Sequence, residues 1–358
     1  MMRRRNFLEL VGGAAAGVAM LPEVLLSQGR RADFRAWSWV HGNAERSPSE
    51  WRAHFARLRA AGISGILVEG GNTDILSAAA RAEGMAYHRW LWILNRPGDT
   101  WAQQNHPEWF SVSRRGESSL THPPYVGYYK WVCPSRQPVR EYLRGLVREA
   151  AAHPGVDGIH LDYIRHPDVI LPVGLWAKYN LVQDREHPEF DFCYCEVCRE
   201  AFKSRSGNDP IDMPDPTADQ AWREFRWNSV TQVVRELADE VHGAGKQITA
   251  AVFPTPTLAR KLVRQAWEHW PLDAVFPMLY HGFYLESPAW VGDSVREGVS
   301  ALPADRPLHA GLYLPDLDPA TLGQTVRIAR EAGAAGISLF ESNGLTDASL
   351  DVLRSEIG

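Results

Sequence analysis

The feature that most constrains the fold of this chain is a repeated alternation of short apolar strands with amphipathic helices. Eight such units follow one another between residues 35 and 356, and no low-complexity segment divides them. Apolar runs of strand length that alternate with helical patterns indicate βαβ units, whose parallel sheet is covered by helices. Eight units are the number that closes such a sheet into a barrel. The sequence therefore predicts a (β/α)8 TIM barrel.

The predicted strands differ in the loops that follow them. They span residues 35–40, 63–69, 86–94, 157–162, 247–253, 274–279, 308–314 and 336–340. The segments after the third and fourth strands are long, so we expect elaborated loops at these two positions. An open doubly wound sheet is the alternative, but such folds normally carry a glycine-rich phosphate turn after the first strand. The segment Trp39–Asn43 is not glycine-rich.

The first 31 residues have the pattern of an export signal. Residues 3–8 (RRRNFL) resemble the twin-arginine signal, and the apolar run over residues 10–21 is too short to span a bilayer. A disordered basic N-terminus is the alternative. We expect residues 32–358 to form a catalytic barrel that is exported to the periplasm or the cell exterior, with no membrane anchor after signal cleavage. The net charge of -5 argues against nucleic acid as a partner, and the oligomeric state is open.

Carboxylates are expected at three strand ends, which form the functional face of a (β/α)8 barrel. Asp162 ends the fourth predicted strand, Glu69 the second, and Glu341 follows the eighth. Glycoside hydrolysis needs two carboxyl groups, one that attacks or activates water and one that protonates the leaving oxygen. We expect Asp162 to be the nucleophile. Glu341 is preferred to Glu69 as the acid because the eighth strand lies opposite the fourth. Loop carboxylates are further alternatives for the acid: Asp168 and Glu286.

Aromatic, amide and charged side chains accompany these carboxylates at the strand ends, a mixture that suits a sugar. We expect Arg165, or another donor, to keep Asp162 ionised. Trp37 and Trp39 share one strand face, as do Trp90 and Trp92, and each pair fits either the barrel mouth or the core. The candidate substrate-binding residues are Trp39, His41, Trp92, Asn95, Tyr163, Arg165, Tyr280, His281, Tyr313 and Asn343.

The cysteines form a spaced cluster. Three of the four, Cys193, Cys195 and Cys198, lie within six residues, and Cys133 precedes the helix that leads to the fourth strand. A Cys-x-Cys disulfide is strained, so four thiolates fit a tetrahedral zinc ion better, and a site without an open position is structural. One or two disulfides are the alternative, since exported proteins commonly contain them.

Several segments resemble the glycoside-hydrolase-like family 10 barrels. They are residues 106–112 (HPEWFSV), 128–135 (YYKWVCPS), 157–167 (DGIHLDYIRHP), 250–256 (AAVFPTP) and the stretch from Gln265 to Tyr280. The resemblance covers most of the barrel and implies a (β/α)8 fold that acts on an oligo- or polysaccharide, with Asp162 at the catalytic strand end.

The cysteine run is similar to the structural zinc cluster of glycoside hydrolase family 42 galactosidases. That similarity implies zinc. The chain has no Asn-Glu pair at the end of the fourth strand, however, which argues against the β-galactosidase chemistry of that family.

Two other functions compete with a glycosidase. A carbohydrate-binding barrel without catalysis is possible because only Asp162 is well placed and its partner is ambiguous. A metal-dependent hydrolase is the second, but that chemistry usually needs a His-x-His pair on the first strand, where this chain has only His41. His41, His160 and His281 fit hydrogen-bonded framework positions equally well.

Overall fold

A sheet of eight parallel strands forms the centre of the structure, a computed structural model that describes residues 34–42 and 46–357. The strands run in the order β6-β5-β4-β3-β2-β1-β8-β7. Parallel bridges from Val275 to Leu308 and from Met278 to Gly311 join β6 to β7, so the sheet nearly closes on itself. The predicted (β/α)8 barrel is confirmed. The strands are β1 (Arg35–His41), β2 (Ile63–Glu69), β3 (Ala86–Trp92), β4 (Gly158–Asp162), β5 (Gln247–Val252), β6 (Ala274–Pro277), β7 (His309–Tyr313) and β8 (Gly336–Phe340).

Helices connect successive strands, and side-chain caps begin several of them. Ser47 and Glu50 form a reciprocal capping box at the start of the first helix, and Asn72 caps the second. The helices are α1 (Pro48–Ala60), α2 (Thr73–Ala82), α3 (Thr100–Asn105), α4 (Gln137–Ala152), α5 (Glu196–Ser206), α6 (Gln220–Gly243), α7 (Pro256–Val263), α8 (Ala289–Ala301), α9 (Pro319–Glu331) and α10 (Asp347–Ile357). In the described part of the chain, no helix is both long and apolar enough to cross a membrane.

The barrel interior is filled by large aromatic side chains, and two of them, Trp39 and His160, are joined by a hydrogen bond. Trp39 is 1% exposed, and its Nε1 donates to Nε2 of His160 at 3.3 Å. Nδ1 of His160 lies 2.9 Å from the hydroxyl of Thr249, and burial holds the pKa of His160 well below its ordinary value. Trp37 lies in the same buried cluster. His160 is therefore a framework residue, and Trp39 is too deeply buried to contact a substrate, contrary to our expectation.

Two long excursions rise from the C-terminal end of the barrel, as predicted. One covers residues 93–136 after β3 and carries α3, and the other covers residues 163–219 after β4 and carries α5. The turn after β5 is short, since Thr255 already caps α7. The functional end of the barrel is therefore tall above β3 and β4 and low above β5.

The predicted export signal, residues 1–31, lies outside the described residues.

Candidate functional site

A cavity of about 400 Å³ opens at the C-terminal ends of the strands and is lined mostly by aromatic rings. This is the end of the barrel where catalytic side chains are found in (β/α)8 enzymes. Seven of the predicted site residues line the cavity: His41, Trp92, Asp162, Tyr163, Arg165, Tyr280 and Tyr313. Further lining residues include Trp90, Tyr125, Tyr128, Tyr129, Asp168, Leu175, Lys178, Tyr179, Phe253, Phe283, Tyr284 and Phe340.

Asp162 is held at the end of β4 by two donors, one for each carboxylate oxygen. Nε1 of Trp90 donates to Oδ2 at 3.0 Å, and the backbone N–H of Tyr163 donates to Oδ1 at 2.6 Å. Tyr163 makes this turn in the left-handed region, at φ 46°, a conformation that is costly for a residue with a side chain and that clusters at functional sites. Burial raises the pKa of Asp162 to about 6, although both donors favour the ionised form.

Arg165 pairs with Asp168 rather than with Asp162. Nη1 of Arg165 lies 2.9 Å from Oδ2 of Asp168, and both side chains are almost fully buried. The guanidinium also lies 4.8 Å from the ring centre of Trp131 and 5.0 Å from that of Phe253. Of the two alternatives, Arg165 or another donor, Arg165 makes no ion pair with Asp162, because the chain turns after β4 and brings Asp168 to the guanidinium, although its charge still lowers the pKa of Asp162. Trp90 and Tyr163 hold Asp162 instead.

The other two predicted carboxylates meet at His41. Nδ1 of His41 lies 2.8 Å from Oε2 of Glu69, and its Nε2 lies 3.7 Å from Oε2 of Glu341. The hydrogen bond to Glu69 is the largest cause of a raised pKa for His41, and the charge of Glu341 adds to it. Glu69 is thus hydrogen-bonded to His41, whereas Oε2 of Glu341 is buried and has no hydrogen-bond partner among residues 34–42 and 46–357.

Two aromatic groups lie on different sides of Asp162. Trp92 and Tyr163 have ring centres 4.5 Å apart, and Tyr128 joins them at 6.3 Å from Trp92. On the other side, Tyr313 stacks on Phe340 at 6.1 Å and contacts the rings of Tyr280 and Phe283, each at 5.2 Å. Flat apolar faces beside a carboxylate provide the surfaces on which the C–H faces of a sugar ring can pack.

Three other predicted binding residues do not reach the cavity. Asn95 is fully buried, and its Oδ1 accepts a hydrogen bond from the backbone of Lys130 at 2.9 Å, because the excursion after β3 folds back onto the strand end. Asn343 lies in an exposed turn, where its Oδ1 accepts from Arg46. His281 begins a 3-10 turn and is not among the described lining residues. The residues that end a strand therefore do not predict the cavity lining where the chain bends immediately after the strand.

Several lining residues were missed from the sequence. Tyr125, Tyr128 and Tyr129 come from the excursion after β3, and Lys178 and Tyr179 from the one after β4. These segments have no regular hydrophobic period, so nothing in their pattern showed which side chains face inward. The tyrosines just before Lys130 were the available signal. Their large, mostly apolar rings lie in a loop above the barrel, where burial against the open end of the barrel is favourable.

The four cysteines come together as predicted, away from the cavity. Their Sγ atoms all lie within 4.8 Å of one another, and all four are buried. Sγ of Cys133 lies 3.6 Å from that of Cys195 and 3.4 Å from that of Cys198. Zn–S bonds of about 2.3 Å in a tetrahedron place sulfurs roughly 3.8 Å apart, whereas a disulfide needs about 2.05 Å. The donor set fits a structural zinc ion.

Comparison with solved structures shows what the barrel is similar to. It matches the glycoside hydrolase domain of PgaB (BpsB) from Bordetella bronchiseptica with a TM-score of 0.67 and 12% identity, over 91% of this chain and 99% of that chain. The chain shares this fold. The catalytic domain of β-amylase from Paenibacillus polymyxa matches with a TM-score of 0.61 and 12% identity, over 91% and 98% of the two chains. A class V chitinase from Pseudomonas fluorescens Pf-5 matches at 0.52 and 10% identity, over 90% and 99%.

Sequence comparison gives no family for the chain. No protein-family model matches it, and no curated protein does. At 10–12% identity the structural matches establish the (β/α)8 fold. Any activity must be argued from the chain's own residues.

Proposed function

We propose that this protein is a glycoside hydrolase that cleaves an oligo- or polysaccharide. The observation that carries the proposal is Asp162, a half-buried carboxyl group at the end of β4, in a cavity whose walls are aromatic. Its pKa of about 6 places its charge change near the pH at which acid–base groups work best. The solved structures with the same fold are named as a glycoside hydrolase domain, a β-amylase and a chitinase, which supports this reaction class.

Asp162 acts as the nucleophile or base in this proposal. Both of its oxygens accept hydrogen bonds, and such bonds favour the ionised form that attacks the sugar or a water molecule. The glycosidic C–O bond breaks, the anomeric carbon gains the oxygen of water, and a proton goes to the leaving oxygen.

Glu341 supplies that proton. Its side chain is 25% exposed and its Oε2 makes no hydrogen bond with the described residues, whereas Glu69 is bound to His41 at 2.8 Å. His41 lines the cavity and lies between the two glutamates. In this arrangement its charge balances that of Glu69, to which it is hydrogen-bonded.

We also propose that Cys133, Cys193, Cys195 and Cys198 hold a structural zinc ion. The spacing and burial of the four sulfurs support it. Cys133 belongs to the excursion after β3 and the other three to the excursion after β4, so the ion would tie together the two segments that wall the cavity.

Residues 1–31 would direct export, which the Arg-rich motif at residues 3–8 supports. Mass spectrometry of protein recovered from the medium or periplasm would test the export proposal by revealing whether these residues are removed.

The activity is tested with purified protein and defined glycans. Hexasaccharides of β-1,4-glucose, α-1,4-glucose, β-1,4-N-acetylglucosamine and β-1,4-galactose are incubated with wild type, with Asp162→Asn and with Glu341→Gln, and the products are separated by chromatography. Cleavage by wild type that both substitutions abolish supports the proposal. Tight binding of a hexasaccharide without any cleavage would instead identify a carbohydrate-binding barrel.

A further inference from the structure

The wall of the cavity is continuous from β3 to β7. The hydroxyl of Tyr125, in the excursion after β3, donates to the backbone oxygen of Asp168 at 2.8 Å. It also accepts a hydrogen bond at 2.8 Å from Nε2 of Gln183, whose Oε1 accepts from the backbone of Leu171 at 2.8 Å. These bonds join the excursions after β3 and β4 into one surface.

The turn after β5 is too short to form part of this wall. The segments that follow β4 and β6, on either side of it, contact each other and close the gap. Residues 173–175, from the excursion after β4, pack on residues 281–284 after β6. A Cβ atom on Gly174 would lie 2.5 Å from the backbone oxygen of Gly282 and 2.8 Å from that of Phe283. Such distances require the segments to shift, so only glycine permits this approach. Gly282 in turn packs against Asp316 after β7, where a Cβ atom would collide with the carboxylate.

The opposite side of the barrel has short connections. Three residues separate β2 from α2, and six separate β8 from α10. The side chains of His41, Glu69 and Glu341 lie on this side and are 42%, 36% and 25% exposed. Asp162 therefore lies between a tall aromatic wall and a low, accessible rim.

We infer that the cavity is a blind pocket, which takes the end of a glycan chain that enters over the β8–β1–β2 rim. This inference rests on the proposed function and adds its mode of action. A chain that continued past Asp162 in both directions would collide with the wall closed by Gly174. The enzyme therefore releases short products of constant length from a chain end, and a volume of about 400 Å³ limits how many sugar units the closed part can hold.

The time course of product formation tests this mode. Each hexasaccharide that wild type cleaves is labelled at its reducing end and sampled during the first tenth of the reaction. Release of one short product of fixed length, with the chain shortened by that length, supports the inference. An initial mixture that includes cleavage at central linkages overturns it and leaves the glycosidase proposal intact. If none of the four hexasaccharides is cleaved, the glycosidase proposal and the chain-end mode are both contradicted for these sugars.

Substitution of Gly174 tests the closed wall itself. Gly174→Ala forces residues 173–175 away from Gly282, so we expect central cleavage to increase by about tenfold relative to end cleavage. Gly145→Ala is the matched control, because a Cβ atom there meets nothing within 4 Å. The ratio of the two products within one sample does not depend on how much of the variant is folded. An unchanged ratio in Gly174→Ala would overturn the role of this contact.

Discussion

Nε1 of Trp90 on β3 donates a hydrogen bond to Oδ2 of Asp162 on β4, at a distance of 3.0 Å. The bond favours the ionised carboxylate, while burial favours the protonated acid and raises its pKa to about 6. The charge of Asp162 at neutral pH therefore depends on this donor and on the backbone N–H of Tyr163.

Replacement of Trp90 by Phe should move the pH dependence of activity. Loss of the donor raises the pKa of Asp162 above 6, so the acid limb of the kcat/KM profile shifts to higher pH, by about one unit for a hydrogen bond to a charged group. Trp101→Phe is the control, because Trp101 is 50% exposed and outside the cavity lining. If the acid limb keeps its position in Trp90→Phe, this donor does not set the charge of the catalytic group.

Asp162→Asn should make the protein more stable at neutral pH. An unfolded aspartate has a pKa of about 3.9, below the folded value of about 6. The folded protein thus binds more protons between these values, and its free energy of unfolding falls as pH rises through this window. Asparagine carries no charge, but its amide nitrogen cannot accept one of the two hydrogen bonds, so we expect a net gain of about 1–2 kcal/mol at pH 7.5 and a smaller gain, or none, at pH 4.5. Chemical denaturation at both pH values measures it, and a less stable variant at pH 7.5 would be the contrary result.

His41→Gln should cost more stability at low pH than at high pH. The raised pKa of His41 comes first from its hydrogen bond with Glu69. The contribution of His41 to the free energy of unfolding is therefore complete below the ordinary pKa of 6.5. It is lost as pH rises through the pKa of His41 in the folded protein. We expect a larger fall in Tm at pH 5.5 than at pH 9.

The matched control for His41 is His54. Burial lowers the pKa of His54 to about 4, below its ordinary value, so at pH 5.5 the unfolded chain binds a proton that the folded protein does not, and this histidine destabilises the fold there. His54→Gln should therefore lower Tm less at pH 5.5 than at pH 9, the opposite of the order expected for His41→Gln. A loss in His41→Gln that is equal at the two pH values, or smaller at pH 5.5, would show that its ion pairs do not contribute.

Removal of metal should destabilise the protein. If the four thiolates of the cysteine cluster bind zinc, purified protein contains about one zinc ion per chain. A strong chelator then lowers Tm by at least about 5 °C, because the ion stabilises the folded state. Addition of zinc restores the original value. Protein without zinc, with fewer than four titratable thiols after denaturation, would indicate disulfides instead.

The fold could be predicted because each strand and helix has a local signature. The bounds predicted for the second and eighth strands, 63–69 and 336–340, are those of β2 and β8. Other strand ends differ from the predicted ones by one or two residues, as at β6, which ends at Pro277 rather than at residue 279. The third strand ends at Trp92 rather than at residue 94, because residues 94–96 pair with residues of the excursion.

The site could be predicted only in part, for a related reason. Strand order placed Asp162 at the barrel mouth, and the cysteine spacing indicated a cluster. The partner of Arg165 and the positions of Tyr125 and Tyr129 depend on how long irregular segments fold over the barrel. Contacts such as that between Gly174 and Gly282 join residues about a hundred positions apart, and no local pattern encodes them.

The most direct test of the proposed function compares kcat for Asp162→Asn with wild type, on the hexasaccharide that wild type cleaves fastest. Asp351→Asn serves as the control, since Asp351 is exposed on α10, where it pairs with Arg354. We predict that Asp162→Asn lowers kcat by about 10³-fold or more, because the group that attacks or activates water is lost, while Asp351→Asn leaves kcat unchanged. A folded Asp162→Asn variant that retains kcat within about tenfold of wild type would contradict the assignment of Asp162 as the catalytic carboxylate.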